Sequence, residues 1–449
     1  MQQRRVLRRP RLHPAQTIFG GFAVVAAVGT ALLLLPVAKA GSGGATWSEA
    51  LFTAVSALCV TGHVVVDTPT YWSGFGQVVI LVLIQVGGLG VMTFASFVGL
   101  IVVRRLSLRT RLTTAAETHS VGLDDVKSLV RGVVMISLAI EGFIAAVLAI
   151  RFATAYEYSP LEAIWLGTFH GISSFNNAGF ALFSDNMIGF VSDPIVSLAI
   201  CVAVILGGLG FPVIVQLRRH LRRPLLWTMH TRLVLAFSAI LLVAGTLFIT
   251  GAEWNNPATL GSLDPASRIL AGFFQSVQTR TAGFNTVDIG SMDGATLFGM
   301  DVLMFIGGGP AGTAGGIKVT TFGVLLFILL AEIRGDGVVN VFGKRLSRAV
   351  HRQAIAVVLL SVGVVVVSTI AIMLISGIDL DRVLFETISA FATVGLSTGI
   401  TAGLPVPAQL IVVALMFVGR LGPITFATAL ALRERTVAYQ FPKERPIIG

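Results

Sequence analysis

Apolar runs recur along this chain at roughly 17–37, 76–103, 132–151, 195–217, 232–251, 298–331, 354–377 and 408–432. Most span about 20 residues or more, enough to cross a ~30 Å hydrocarbon layer as a helix. Hydrophobic residues make up 55% of the chain and charged ones 12%, against roughly 25% charge in a water-soluble domain. The chain is therefore expected to be an all-α polytopic membrane protein with eight crossings. One segment imitates a secretory signal: Arg-rich residues 4–11, the run Ile18 to Val37, then Ala38-Lys39-Ala40. That run exceeds a signal core of about 7–15 residues, so it is read as the first crossing, retained.

Charge assigns the sides. Segments 1–16, 104–131, 218–232, 332–352 and 433–449 hold 25 of the 32 Lys/Arg, while the opposite loops hold only Lys39, Arg151, Arg268 and Arg382. By the positive-inside rule both termini are expected in the cytoplasm. The net charge of +10 is then a topology signal, and secondarily a surface for anionic lipid or a partner; nucleic acid is excluded as its target. Cys59 and Cys201 each lie in an apolar stretch and suggest neither a disulfide framework nor a metal site.

Self-similarity narrows the fold further. Four outer segments read SALCVTGHV (56–64), SSFNNAGFA (173–181), VQTRTAGFN (277–285) and SAFATVGLS (389–397). Each centres on a glycine, Gly62, Gly179, Gly283 and Gly395, and ten residues before each stands Phe52, Phe169, Phe273 or Phe385. Some 24 to 28 residues after each glycine comes a second landmark: QVGGLGVMT, ILGGLGFPV, FIGGGPAGT and FVGRLGPIT. The order crossing, short helix, glycine turn, crossing thus occurs four times. The spacing predicts four M1–pore helix–M2 repeats, with eight transmembrane helices and four re-entrant pore loops in pseudo-four-fold arrangement around one pore. Their bounds are 17–107, 108–223, 224–345 and 346–432, between a basic N-terminus (1–16) and a C-terminal tail (433–449). Ser159-Pro160 with Glu162, and Asp264-Pro265, are start signals for two of the short helices. Gly87, Gly88, Gly207 and Gly208 are expected to serve close helix packing.

A cation entering such a pore exchanges its water shell for fixed oxygens, which rings of backbone carbonyls supply. Aiming successive carbonyls one way requires backbone angles that glycine tolerates best. The candidate filter is Val60, Thr61 and Gly62; Asn177, Ala178 and Gly179; Thr281, Ala282 and Gly283; and Thr393, Val394 and Gly395, holding the ion through backbone carbonyls. One glycine per loop predicts a short selective stretch. Fourteen of the 22 acids, Glu386, Asp301 and Glu253 among them, are placed on the outer side, where negative charge concentrates cations.

Two features break the repeat. Seven of the ten residues Gly307, Gly308, Gly309, Pro310, Ala311, Gly312, Thr313, Ala314, Gly315 and Gly316 are Gly or Pro, so the crossing is expected to break there and form a gate below the filter. A nucleotide-binding loop is disfavoured because Ile317 separates Gly316 from Lys318. Arg420 stands where the other three landmarks have glycine; a charge at membrane depth calls for a partner or water, and a pore-facing role beside the 307–316 loop is expected. Glu141 raises the same question without an evident partner. Arg280 and Lys318 are expected to anchor loop backbone.

Together the four loops, Thr281-Ala282-Gly283-Phe284 among them, GGGPAGTAGG followed by Ile317-Lys318-Val319, and Arg420 resemble the Trk/Ktr/HKT superfamily of potassium transporters. The resemblance runs from about residue 17 to 432 and is strongest to the bacterial Ktr-type membrane subunit. It implies a selectivity filter at Gly62, Gly179, Gly283 and Gly395, a gating loop at 307–316 and a pore arginine at Arg420. It also implies potassium uptake across the cell membrane driven by the membrane potential, with sodium as a candidate second ion. Relatives form homodimers and bind a cytosolic ring of nucleotide-binding regulatory subunits of the KtrA/TrkA type; the nucleotide sits on that partner. The basic segments Arg218–Arg223 and Lys344–Arg352 are candidate docking surfaces. The first loop departs from the others, with His63 where the second and third have Phe180 and Phe284.

The competing reading is a secondary transporter of another cation or a small organic solute, for which inverted repeats would be expected. An intramembrane enzyme is disfavoured by the absence of a His-Glu-x-x-His pattern and of a paired intramembrane carboxylate.

Overall fold

The computed structural model describes residues 14–111 and 123–422. Most of the expected basic N-terminus (1–13), the connection 112–122, the end of the eighth apolar run (423–432) and the tail 433–449 lie outside the described residues.

Along the chain come α1 (Pro14–Leu33), α2 (Trp47–Leu58), the one-turn α3 (Thr68–Tyr71) and α4 (Gly74–Arg111). Next are α5 (Leu123–Ala155), α6 (Pro160–Phe175), α7 (Pro194–Leu209) and α8 (Phe211–His220). The third stretch holds α9 (Met229–Glu253), α10 (Pro265–Gln278), α11 (Gly294–Phe305) and α12 (Val319–Ile333). A small antiparallel hairpin of β1 (Asn340–Val341) and β2 (Lys344–Arg345) leads into α13 (Arg348–Ser376), α14 (Leu380–Phe391) and α15 (Val406–Leu421).

Among the described residues three helices are long and apolar enough to cross a membrane by themselves: Val130–Ala155 of α5, α9 and α13. Their outward faces are apolar, with Phe143, Leu247, Leu359 and Leu374 all exposed, where a water-facing helix would be charged. The short helices α2, α6, α10 and α14 pack against these and their neighbours: α2 on α1 and α4, α6 on α5 and α7, α10 on α9 and α7, α14 on α13, α15 and α11. Phe52, Phe169 and Phe385 are fully buried in this packing, while in α10 it is Phe274 that is buried and Phe273 only partly so.

Three of the four short helices open on a side-chain cap, α6 and α10 at the signals expected, while Asp379 before α14 makes no such bond. Ser159 Oγ accepts from Glu162 N at 3.4 Å, and one Asp264 oxygen accepts from Ala266 N and Ser267 N at 3.1 and 3.2 Å. A reciprocal capping box that the sequence reading passed over opens α2: Thr46 N donates to Glu49 Oε2 at 2.8 Å and Glu49 N to Thr46 Oγ1 at 3.4 Å. Asp193 caps α7 and ties it to α5, accepting from Arg151 Nε at 2.7 Å. Burial works to raise its carboxyl, but the bonds from Arg151, Val196, Tyr156 and Ile195 outweigh it and hold it below the usual carboxylate range.

The run 195–217, expected as one straight crossing, is instead two helices. The chain bends by 99° between α7 and α8, at Gly210 with φ 89° and ψ 144°. The reason is a competing bond: Phe211 N donates to Ala311 O at 3.1 Å rather than to its own helix. Pro212 then occupies the first turn of α8, where its missing N–H costs nothing. The run 298–331 does break, with α11 ending at Phe305 and α12 beginning at Val319.

A Cβ at Gly210 would run into Pro310 O, at a φ that side chains rarely adopt. Gly210→Ala is expected to destabilise the detergent-solubilised protein by roughly 1–3 kcal/mol, read as a lowered Tm; an unchanged Tm would mean that the bend is not held by this contact.

Candidate functional site

Four loops follow the four short helices, and their backbones repeat one pattern. Val60, Asn177, Thr281 and Thr393 have φ of 56°, 58°, 69° and 51°, and two residues later Gly62, Gly179, Gly283 and Gly395 have φ of 91°, 69°, 81° and 91°. Left-handed conformation is uncommon for a residue with a side chain and rarer still for the β-branched valine and threonines, so its recurrence in register marks a shared geometry. The intervening amides point back to the short helices. Thr61 N donates to Ser56 O, Ala178 N to Ser173 O and Val394 N to Ser389 O at 2.7–2.9 Å, and Ala282 N to Gln278 O at 3.1 Å.

The loops close on one another in order. A Cβ built on Gly62 would meet Ala178 O, on Gly179 Ala282 O, on Gly283 Val394 O, and on Gly395 Thr61 O. Each would also lie 3.0–3.2 Å from the next glycine's Cα. The sequence of contacts runs from the first loop to the second, third and fourth and back to the first, so the twelve residues form a ring one loop thick. The short helices end at this ring, each presenting a partial negative charge toward it. The hydroxyls of Thr61, Thr281 and Thr393 are buried there without a protein partner.

Against the ring lies the non-helical segment 306–318. Gly309 N donates to Gly208 O at 2.7 Å and Thr313 N to Gly207 O at 3.1 Å, while Ala311 O accepts from Phe211 N. The segment's two ends pair with each other, Gly307 N donating to Ile317 O at 2.8 Å. Asn177 of the second loop, with its amide turned to suit its neighbours, donates to Thr313 Oγ1 at 2.9 Å. A Cβ at Gly315 would collide with Thr393 Oγ1 of the fourth loop. Arg420 completes the enclosure: it is 4% exposed, and its guanidinium donates to Thr313 O and, at 3.1 Å, to Gly87 O of α4. One side chain thereby joins α15, the central segment and α4.

The remaining intramembrane charges have identifiable places. Lys318 Nζ donates to Ala314 O at 2.6 Å and Gly315 O at 3.2 Å, anchoring loop backbone as expected. Arg280 differs, donating to the Ser238 side chain of α9 at 3.1 Å. Glu141 has partners after all: Gln85 Nε2 donates to both of its oxygens at 3.1 Å, and Asn176 Nδ2 to one at 3.0 Å. Asn176 caps the C-terminal end of α6, so this network fixes the end of a short helix directly before Asn177. Glu253 and Glu386, counted as outer acids, are fully buried rather than solvated, and Asp301 is 4% exposed. Gly87 and Gly207 serve close packing of a specific kind: a Cβ at either would meet the last carbonyl of α2 or α6, Leu58 O and Phe175 O.

Comparison with known proteins places this architecture. A family model described as TrkH, cation transport protein, matches residues 22–436. The chain is 38% identical to the Ktr system potassium uptake protein B of Bacillus subtilis over 436 residues, covering 97% of each. It is 38% identical to the protein of that name from Vibrio alginolyticus, covering 93% and 91%, and 31% identical to the potassium/sodium uptake protein NtpJ of Enterococcus hirae, covering 98% of each. Its fold is similar to the crystal structure of the potassium transporter TrkH from Vibrio parahaemolyticus, with TM-score 0.74 and 17% identity over 96% of this chain and 87% of that one.

The two guanidinium bonds are the test of how firmly the central segment is held. A charge-assisted bond contributes about 1.5–3 kcal/mol, so Arg420→Ala is expected to speed hydrogen exchange at the Gly309 and Thr313 amides by about tenfold or more, with little change in α5 or α9. Unaltered exchange across 306–318 would assign the enclosure to the glycine contacts alone.

Proposed function

The chain belongs to the TrkH family of cation transport proteins, and from that premise we propose that it takes up potassium ions by passing them through the ring of four loops. The observation that carries this reading is the ring itself, in which one left-handed residue and one glycine recur in every loop and each glycine faces the next loop's carbonyl. Carbonyls held by inward-ending short helices suit a dehydrated cation, and the unpartnered hydroxyls of Thr61, Thr281 and Thr393 add polar lining. The filter comprises Val60 to Gly62, Asn177 to Gly179, Thr281 to Gly283 and Thr393 to Gly395. With one glycine per loop it holds one principal site, so its preference for potassium over sodium is modest. A potassium/sodium uptake protein among the relatives supports sodium as a second ion.

The segment Gly307–Gly316 with Arg420 is the gate. It lies against the second and fourth loops, held there by close glycine contacts and by Arg420, and opening requires it to leave those contacts. Uptake is driven by the membrane potential, worth roughly 2.3 kcal/mol per charge at 100 mV. The protein is a multi-pass membrane protein; the eight-crossing arrangement of four repeats, with both termini in the cytoplasm, follows from the distribution of Lys and Arg. We assign it further a homodimeric assembly and a cytosolic regulatory ring that carries the nucleotide. The exposed β1–β2 hairpin, with Lys344 and Arg345, is the docking surface best placed to pull on α12, which leads directly from the gate.

Expression in a bacterial host lacking potassium uptake tests the reading. The protein is expected to restore growth at micromolar to millimolar potassium, and rubidium uptake with it. Gly283→Ser, whose side chain would press on Val394 O at a φ of 81°, is expected to lower potassium affinity by about tenfold or more. Failure of the wild type at every concentration, with membrane expression verified and a regulatory subunit supplied, would return the transporter of another solute to first place.

A further inference from the structure

The four short helices are not equivalent behind the ring. Nine residues before the glycines stand Thr53, His170, Phe274 and Glu386. In the second unit His170 Nε2 accepts from Leu182 N at 3.1 Å, three residues past Gly179. In the fourth unit Glu386 Oε1 accepts from Thr398 N at 3.0 Å, three residues past Gly395. The same loop bond is thus made once by a neutral imidazole, whose Nδ1 faces Leu166 O at 2.7 Å, and once by a carboxyl group. Holding the loop does not require a charge.

Glu386 nevertheless has the surroundings of an ionised group. It is fully buried and takes bonds from the Ser397 hydroxyl, Thr398 N and, at 2.8 Å, the Thr401 hydroxyl. His63, next to Gly62 in the first loop, places Nδ1 3.4 Å from Oε2. Every one of these groups can donate, and an acceptor-only carboxylate is what satisfies them together. No described lysine or arginine pairs with it. A buried charge without a cationic partner is costly, and the cation that the reading above brings to this region is the ion in the ring, where the first and fourth loops abut.

We propose that Glu386 is a specificity-determining residue of the pore, a single fixed negative charge behind the fourth loop whose counter-ion is the permeating cation. His63 of the first loop stands beside it, its Nδ1 3.4 Å from Oε2 and 3.5 Å from the Thr401 hydroxyl, and so sets the two loops against one another. This inference rests on the potassium-uptake reading and deepens it: affinity at the ring comes from carbonyls on all sides and from a full charge on one.

The test uses full-length protein reconstituted in vesicles under an imposed inside-negative potential, with rubidium uptake and its inhibition by sodium as readouts. Absence of uptake by the wild type, with a regulatory subunit supplied, would sink the potassium reading and this inference with it; against an active wild type the variants test this inference alone. Glu386→Gln keeps an acceptor for Thr398 N and removes the charge; it is expected to raise the KM for rubidium by about tenfold with Vmax little changed, and to make sodium a relatively better competitor. Thr401→Ala removes one of the hydrogen bonds to the carboxylate, with the hydroxyl's contacts to Ser397 and His63, and keeps the charge, so its KM is expected to stay within about twofold of wild type. An unchanged KM in Glu386→Gln, or an equal shift in Thr401→Ala, overturns the proposal. Should Glu386→Gln not be recovered from membranes, Glu386→Asp decides: it keeps the charge at the cost of the hydrogen-bond geometry, so a KM near wild type supports the charge and a tenfold rise refutes it.

Discussion

Backbone that leaves a helix inside an apolar environment must still find partners for its N–H and C=O groups, and the centre of this protein is organised by that requirement. Four loops and the 306–318 segment meet there, none of them regular. Their amides are taken up by carbonyls of the short helices and of α7, for which the chains have to approach almost to touching. Glycine makes the approach possible. At Gly87, Gly207 and Gly419 even a methyl group would collide with the last carbonyl of α2, α6 or α14. The second landmark of the first, second and fourth repeats is therefore the seat on which a short helix comes to rest, while in the third Gly307 faces Gly315 O of its own segment.

Where glycine is replaced, charge takes over. Arg420 occupies the position that Gly88, Gly208 and Gly308 hold in the other landmarks, and its guanidinium reaches two carbonyls, Thr313 O and Gly87 O. Both partners are backbone, from a segment with no regular structure and from a helix in a different repeat. The bond thus depends on the relative placement of α4, α15 and the segment between α11 and α12, and any motion of one against the others is felt at the guanidinium.

Much of this was legible in the sequence, because the loop glycines and landmarks are local patterns repeated at similar spacing. The short-helix caps at Ser159 and Asp264 and the break after Phe305 were equally local. What stayed hidden depends on contacts between distant residues. Gly-Leu-Gly-Phe-Pro at 208–212 reads as small-residue packing until Ala311 O, a hundred residues on, takes the Phe211 amide. Glu141 has no partner within reach along its own helix; Gln85 and Asn176 come from α4 and the end of α6. Glu386 looked like one acid among many on the outer side, because proximity to a loop in sequence says nothing about which way the side chain turns. His63 was visible as a departure from phenylalanine, but its neighbour lies 323 positions away.

Carrying all four loops on one chain has a consequence for how such a ring can change over time. In a ring assembled from four identical subunits every substitution arrives in quadruplicate, and an acid or a base near the axis would appear four times at once. Here a codon change alters one quadrant and leaves three intact. A solitary arginine on one side and a solitary glutamate on another are arrangements that only a fused ring can explore, so the tuning of such proteins to different ions and different habitats is free to proceed one quarter-turn at a time.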